Sequence, residues 1–186
     1  MVIKDLISDI NNFLITTQAE VDAWFDKPED VRVYRPQNGG WTIDNILEHI
    51  VLTSHFLLII IRKGKDKALR NVHQLDLETV LDNYVFQKDR LDEIGLHKHF
   101  LWIRPEHMEP KGAPSEAIRE QLKTQLNDCL ATLDALQNGE GVLYKTTMSV
   151  NDLGKIDVYE YVYFLAQHQK RHVTQMVKNE KEYCQN

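Results

Sequence analysis

The strongest constraint on this chain is the spacing of its apolar residues, which recur every three or four positions over most of its length. Ile3, Leu6, Ile7, Ile10, Phe13, Leu14, Val21, Trp24 and Phe25 line one side of a helix, and such a stripe has to be covered by other elements. The pattern stops at "DKPED", so a long amphipathic helix is predicted over residues 2–26. A second is predicted over 42–62. Thr42 is suited to cap it, Asp44 sits in the first turn against the positive end of the helix dipole, and Lys63-Gly64 reads as its stop. Leu77, Val80, Leu81, Tyr84, Val85, Leu91 and Ile94 mark a shorter helix over 76–94. Ser115 and Ile118 open another over 115–137, and Asp157 caps the last over 157–182. The segment "VLYKTTMSVNDLGKI" is β-branched with a turn from Asn151 to Gly154, and reads as a short hairpin-like element. "LHKHFLWIRPEHMEPKGAP" reads as a loop. The expected fold is all-α: a four-helix bundle forming one domain over 1–186, with the 76–94 helix an addition in the long crossover.

Composition narrows the function classes. The formal charge is −6 and the only basic cluster is the short "RKGKDKALR", so no field for polyanions is expected and nucleic acid is not a predicted partner. The most apolar stretch, "HFLLIII", falls short of the roughly 18 residues a membrane span needs, and the N-terminus has no leader pattern. A soluble, cytoplasmic protein with no membrane partner is expected. Two cysteines, Cys129 and Cys184, suit a reducing compartment better than a disulfide framework, and neither has a neighbouring base that would make it a nucleophile.

The chemistry-bearing residues are histidines. In "QHQKRHVTQM", His168 and His172 are four apart on the predicted last helix, so they project to one side, one turn apart. That side also carries Tyr161, Leu165, Gln175 and Met176 and is the inward stripe. Buried imidazoles need partners, because an unpaired buried polar group costs about 1–3 kcal/mol. A divalent cation would provide one, and ordinary hydrogen bonds within the core would provide another. His49 lies on the apolar side of the second helix with Thr42, Ile46, Leu52, Thr53 and Phe56, whereas Asp44 and Glu48 fall on a more polar side. Three inward imidazoles from two helices can hold an ion and leave a position open, as catalytic metal sites do. His55 faces away, and His73, His97, His99 and His107 are expected to be solvated in or near loops.

"GGWTIDNILEHI", with tryptophan eight residues before a helical histidine, together with "YFLAQHQKRHVTQM" on the last helix, resembles the DinB-like family, including its YfiT-type metal-dependent hydrolases. The resemblance spans essentially the whole chain, with specific motifs at these two places. It implies an up-down-down-up four-helix bundle binding one divalent ion, nickel or zinc, through His49, His168 and His172. Homodimers are common in that family, and one is plausible here. The stretch 63–114 is long for the family.

The residue after His168 is Gln169, where zincin proteases carry a glutamate base. Glu48 follows the helix about 100° away from His49. A hydrolase using metal-activated water would need its base elsewhere, with Glu106, His107 and Glu109 in "RPEHMEPKG" as weak candidates against their reading as ordinary surface charges. A metal-bound thiol needs less help, because coordination itself removes its proton. The resemblance extends to family members that transfer bacillithiol or mycothiol onto electrophiles. The preferred reading is therefore a metal-dependent, low-molecular-weight-thiol S-transferase acting on a small-molecule substrate. Hydrolysis is the alternative. A non-catalytic stress-related binding or interaction bundle, with its apolar surface on the first or third helix, is a further one.

Overall fold

The computed structural model describes residues 2–96 and 105–185. Seven α-helices and one two-stranded antiparallel sheet appear among them. Four helices are long: α1, Ile3–Asp22; α3, Ile43–Asn71; α6, Ser115–Ala135; and α7, Val158–Tyr183. The rest are a turn or two each: α2, Glu29–Arg32; α4, Leu77–Asp82; and α5, Lys88–Asp92. The strands are β1, Lys145–Met148, and β2, Gly154–Asp157. Among the long helices, α1 packs against α6 and α7, and α3 packs against the same two.

Two apolar clusters fill the space between them. Leu6 to Leu14 of α1, Leu57 to Ala68 of α3, Cys129 and Leu133 of α6 and Val158 to Ala166 of α7 share one. Val21 and Trp24, Ile43 to Val51 of α3, Ile118 and Leu122 of α6, and Met176 of α7 share the other. Thus α1 and α7 give their N-terminal parts to the first cluster, and α3 and α6 their C-terminal parts.

Both predicted caps form. Thr42 Oγ1 accepts from the Asn45 amide at 3.1 Å while Asn45 Oδ1 accepts from the Thr42 amide at 3.3 Å. Asp157 and Glu160 make the same reciprocal pair at the start of α7, at 3.1 and 3.0 Å. These boxes satisfy amides the helix itself leaves unpaired. The hairpin also forms, with Lys145 opposite Asp157 and Met148 opposite Gly154. Its turn takes up positive φ at Asn151, Asp152 and Gly154, which Asn, Asp and Gly tolerate best.

Three boundaries differ from those expected. The second long helix does not stop at Lys63-Gly64 but continues to Asn71. Gly64 is a packing residue: a Cβ there would lie 3.1 Å from Val158 Cγ2 and 3.7 Å from a Tyr144 ring carbon. By length and composition α3 is also apolar enough to cross a bilayer, with mean hydropathy 1.5 over its most apolar window, of which 61% is buried within the protein. The single helix expected over 76–94 is broken into α4, an extended link, α5 and a 3-10 turn at Glu93–Gly95. In the link the Gln87 amide leaves the helical pattern to donate to Glu160 Oε1 at 3.0 Å. Finally, the first long helix tightens to a 3-10 turn over Ala23–Asp26.

Candidate metal centre

His49 sits two turns into α3, and His168 and His172 lie one turn apart on α7. All three are buried, with relative exposures of 3%, 2% and 7%. On α7 they fall between Ala166 of one apolar cluster and Met176 of the other, in an interval that also buries Gln167 and Gln169.

Ring centroids are 4.5 Å apart for His168 and His172, 4.9 Å for His49 and His172, and 5.4 Å for His49 and His168. One nitrogen from each ring lies within 4.8 Å of the others, and no described carboxylate or thiol joins that donor set. The Nε2 atoms of His168 and His172 are 3.1 Å apart. Two nitrogens each held at about 2.0–2.1 Å by one ion lie about 2.9 Å apart at a right angle and about 3.3 Å apart at a tetrahedral angle. The observed spacing falls between those limits, so these residues fit a divalent metal.

The outer nitrogens are held too. His49 Nδ1 is 2.9 Å from the Met108 carbonyl. A carbonyl only accepts, so Nδ1 carries the proton and Nε2, 3.4 Å from the Thr53 hydroxyl, is left with its lone pair. His172 Nδ1 is 3.0 Å from Gln175 Oε1, which fixes the same tautomer. Such partners orient metal-binding imidazoles and raise their basicity. The Trp41 ring rests 4.7 Å from the His49 ring, and the Trp41 carbonyl accepts from Asn179 of α7 at 2.8 Å. His168 is held neutral: burial first, then the neighbouring His172 and His49, push its pKa well below the ordinary histidine value.

A family model described as the DinB superfamily matches residues 14–176. The chain belongs to the DinB superfamily. No curated protein and no solved structure matches it. Membership and the buried triad are together compatible with a metal-binding enzyme of the superfamily.

His55, His73 and His107 are exposed, and the His107 ring meets Phe56 edge-on with centroids 4.2 Å apart. Glu106 is exposed and Glu109 half-buried. His97 and His99 lie outside the described residues. The segment that contains Glu106, His107 and Glu109 was expected to be an ordinary surface loop. Instead it packs on α3 beside the triad and touches His49 through the Met108 backbone, and Met108 Sδ is 3.8 Å from Thr53 Oγ1. Cys129 is buried, its thiol pushed up to about 12 by that burial, while Cys184 is exposed.

Glu48 also departs from expectation. It was placed on a polar side of α3, yet it is 5% exposed. Its Oε1 accepts from the Lys111 amide at 2.9 Å, and its Oε2 accepts from the Gly112 and Ala113 amides at 2.8 and 3.2 Å. No pattern around Glu48 announces this, because its donors lie more than sixty positions away and are backbone amides. Gln175 was legible as an inward residue three positions after His172, but its pairing with that ring was not.

Proposed function

We propose that this DinB-superfamily chain is a metal-dependent enzyme in which His49, His168 and His172 hold one divalent ion, zinc or nickel, and which transfers a low-molecular-weight thiol onto small electrophiles. The observation that carries the reading is the buried donor set of three imidazoles unaccompanied by any described carboxylate. A bound divalent ion would supply Lewis acidity, lowering the pKa of a thiol or water held beside it. The chain's own contribution is to orient the rings through the Met108 carbonyl and Gln175, and to keep bulk water away with Trp41 and the Met108 loop. Glu48, the acid adjacent to a ligand in sequence, has both oxygens engaged by three backbone amides. That favours a nucleophile deprotonated by coordination over a water activated by a glutamate base. The way the helix ends share the two apolar clusters supports an up-down-down-up run of α1, α3, α6 and α7.

The test is elemental analysis of the purified protein, then assay of the zinc- or nickel-loaded form with several low-molecular-weight thiols and a chlorodinitrobenzene electrophile. One ion per chain and thiol-dependent conjugation, both lost in His172→Ala, are expected. Ester or amide cleavage without added thiol would replace transfer by hydrolysis. Loaded protein with no turnover would favour a binding module, and stoichiometric metal surviving alanine at each histidine in turn would remove the centre.

A further inference from the structure

We infer that Glu48 is the positioning residue of this centre, acting as a clasp that holds residues 108–113 beside the histidines and thereby fixes His49 as a ligand. The inference rests on the metal-centre reading and adds to it the device that couples loop and ligand.

Two consecutive residues of α3 grip one stretch of chain. His49 Nδ1 donates to the Met108 carbonyl at 2.9 Å. One position earlier on the helix, the Glu48 carboxylate collects the successive amides of Lys111, Gly112 and Ala113 at 2.9, 2.8 and 3.2 Å. A carboxylate has acceptor sites on both oxygens and no donor, so it can hold three converging N–H groups where an amide side chain cannot. These bonds are charge-assisted, and the carboxylate that accepts them is itself buried, so they fasten this stretch of the loop firmly to α3. The backbone supports the same conformation: Gly112 has φ +85°, with nothing near the place a Cβ would occupy.

Releasing the clasp frees Met108, and with it the acceptor that keeps the His49 proton on Nδ1. Nε2 then no longer presents its lone pair by default. Metal affinity and loop closure are therefore linked, and the linkage works in both directions: an ion bound to His49 stabilises the closed loop, and a closed loop tightens the ion. Glu48 is not one of the three ligands and acts on the centre through the Met108 loop, which in turn holds His49.

The experiment measures zinc affinity by competition with a chromophoric chelator, and amide hydrogen exchange at residues 111–113 with and without zinc. Wild type, Glu48→Gln, Glu48→Ala and Gly112→Ala are compared, with thermal melting of each metal-free protein as a fold control. In wild type, zinc slows exchange at 111–113. Glu48→Gln keeps one carbonyl acceptor but turns an amide donor towards backbone donors, and Glu48→Ala keeps none. Zinc affinity should fall about 10–100-fold in Glu48→Ala, as when a metal-bound histidine loses its hydrogen-bond partner, and by a smaller factor in Glu48→Gln. Gly112→Ala strains the loop without touching α3, so a several-fold loss is expected there even if the Glu48 variants fold poorly.

A loop that merely decorates the surface would exchange faster in the variants with zinc affinity unchanged, and that result overturns the inference while leaving the centre intact. Zinc that binds wild type without slowing exchange at 111–113 also overturns it. A wild type that takes up no divalent ion removes the centre and this role together.

Discussion

Tyr159 is fully buried near the start of α7, and its hydroxyl is used twice. It donates to the Leu136 carbonyl just past the end of α6 and accepts from the Gly141 amide at 3.2 Å. Replacing Tyr159 with phenylalanine keeps the ring and removes one oxygen, so almost no cavity is created. The cost falls on the two former partners. The buried Gly141 N–H loses its acceptor, which costs about 1–3 kcal/mol. The Leu136 carbonyl retains the Gly139 amide at 3.2 Å, so it loses one bond of two, worth about 1 kcal/mol. Tyr159→Phe should therefore destabilise the fold by about 2–4 kcal/mol, lowering Tm by about 4–16 °C for a chain of this size. Calorimetry of the metal-free protein measures the loss, with urea unfolding as the independent check. His168 is nine positions further along α7, so zinc affinity should be unchanged. A Tm within 2 °C of wild type would refute the bookkeeping, because it would mean the buried amide finds another acceptor at no cost.

With zinc at a hundred times its Kd, the wild type should gain about 2.7 kcal/mol of stability, a Tm rise of about 5–10 °C; His172→Ala should gain less than 2 °C, and an equal rise in both proteins would exclude His172 as a ligand. Because folding holds the His168 pKa well below the ordinary value, the unfolded chain binds the proton more readily, and metal-free stability should fall as pH drops below about 6.5, by at most about 1.4 kcal/mol per pH unit. Urea midpoints at pH 7.5 and 5.5 test this, and His168→Gln should flatten the difference. Asp157 shifts the other way, its pKa raised to about 7 first by complete burial and then by the charge of Glu160. Its folded form favours the proton, so the stability it contributes is present at low pH and lost as pH rises towards 7. Asp157→Asn keeps an Oδ1 for the Glu160 amide and removes that penalty, so at pH 8 it should be more stable than wild type by about 1–2 kcal/mol, with the advantage shrinking at pH 5. An unchanged advantage at both values would refute the charge-burial cause.

Much of the bundle is written in local sequence, because helical phase places most residues inward or outward. Phase puts His49, His168 and His172 on inward stripes, the family resemblance marks them as a set, and local residue type assigns Thr42 and Asp157 as caps. Elements whose cause lies far along the chain were not legible. Gly64 has the composition of a helix stop, yet the space it leaves is filled by Val158 and Tyr144 from the far end of the sequence. Apolar period gave one helix over 76–94, but Glu160 draws the Gln87 amide out of the helical ladder and breaks it. Glu48 looked polar and outward because its partners are loop amides that carry no side-chain signal.

The histidines stand where one apolar cluster gives way to the other along α7, and His49 belongs to the stretch of α3 that lines the second. Each cluster buries its own large side chains, so each half of the bundle has the makings of a separate cooperative unit, able to open while the other stays closed. A cation chelated by His49, His168 and His172 would act as a cross-link in the folded state, because opening the half around Trp24 and Ile46 pulls His49 away from α7. Metal content would then set not only how stable the protein is but how tightly the opening of one half is tied to the opening of the other.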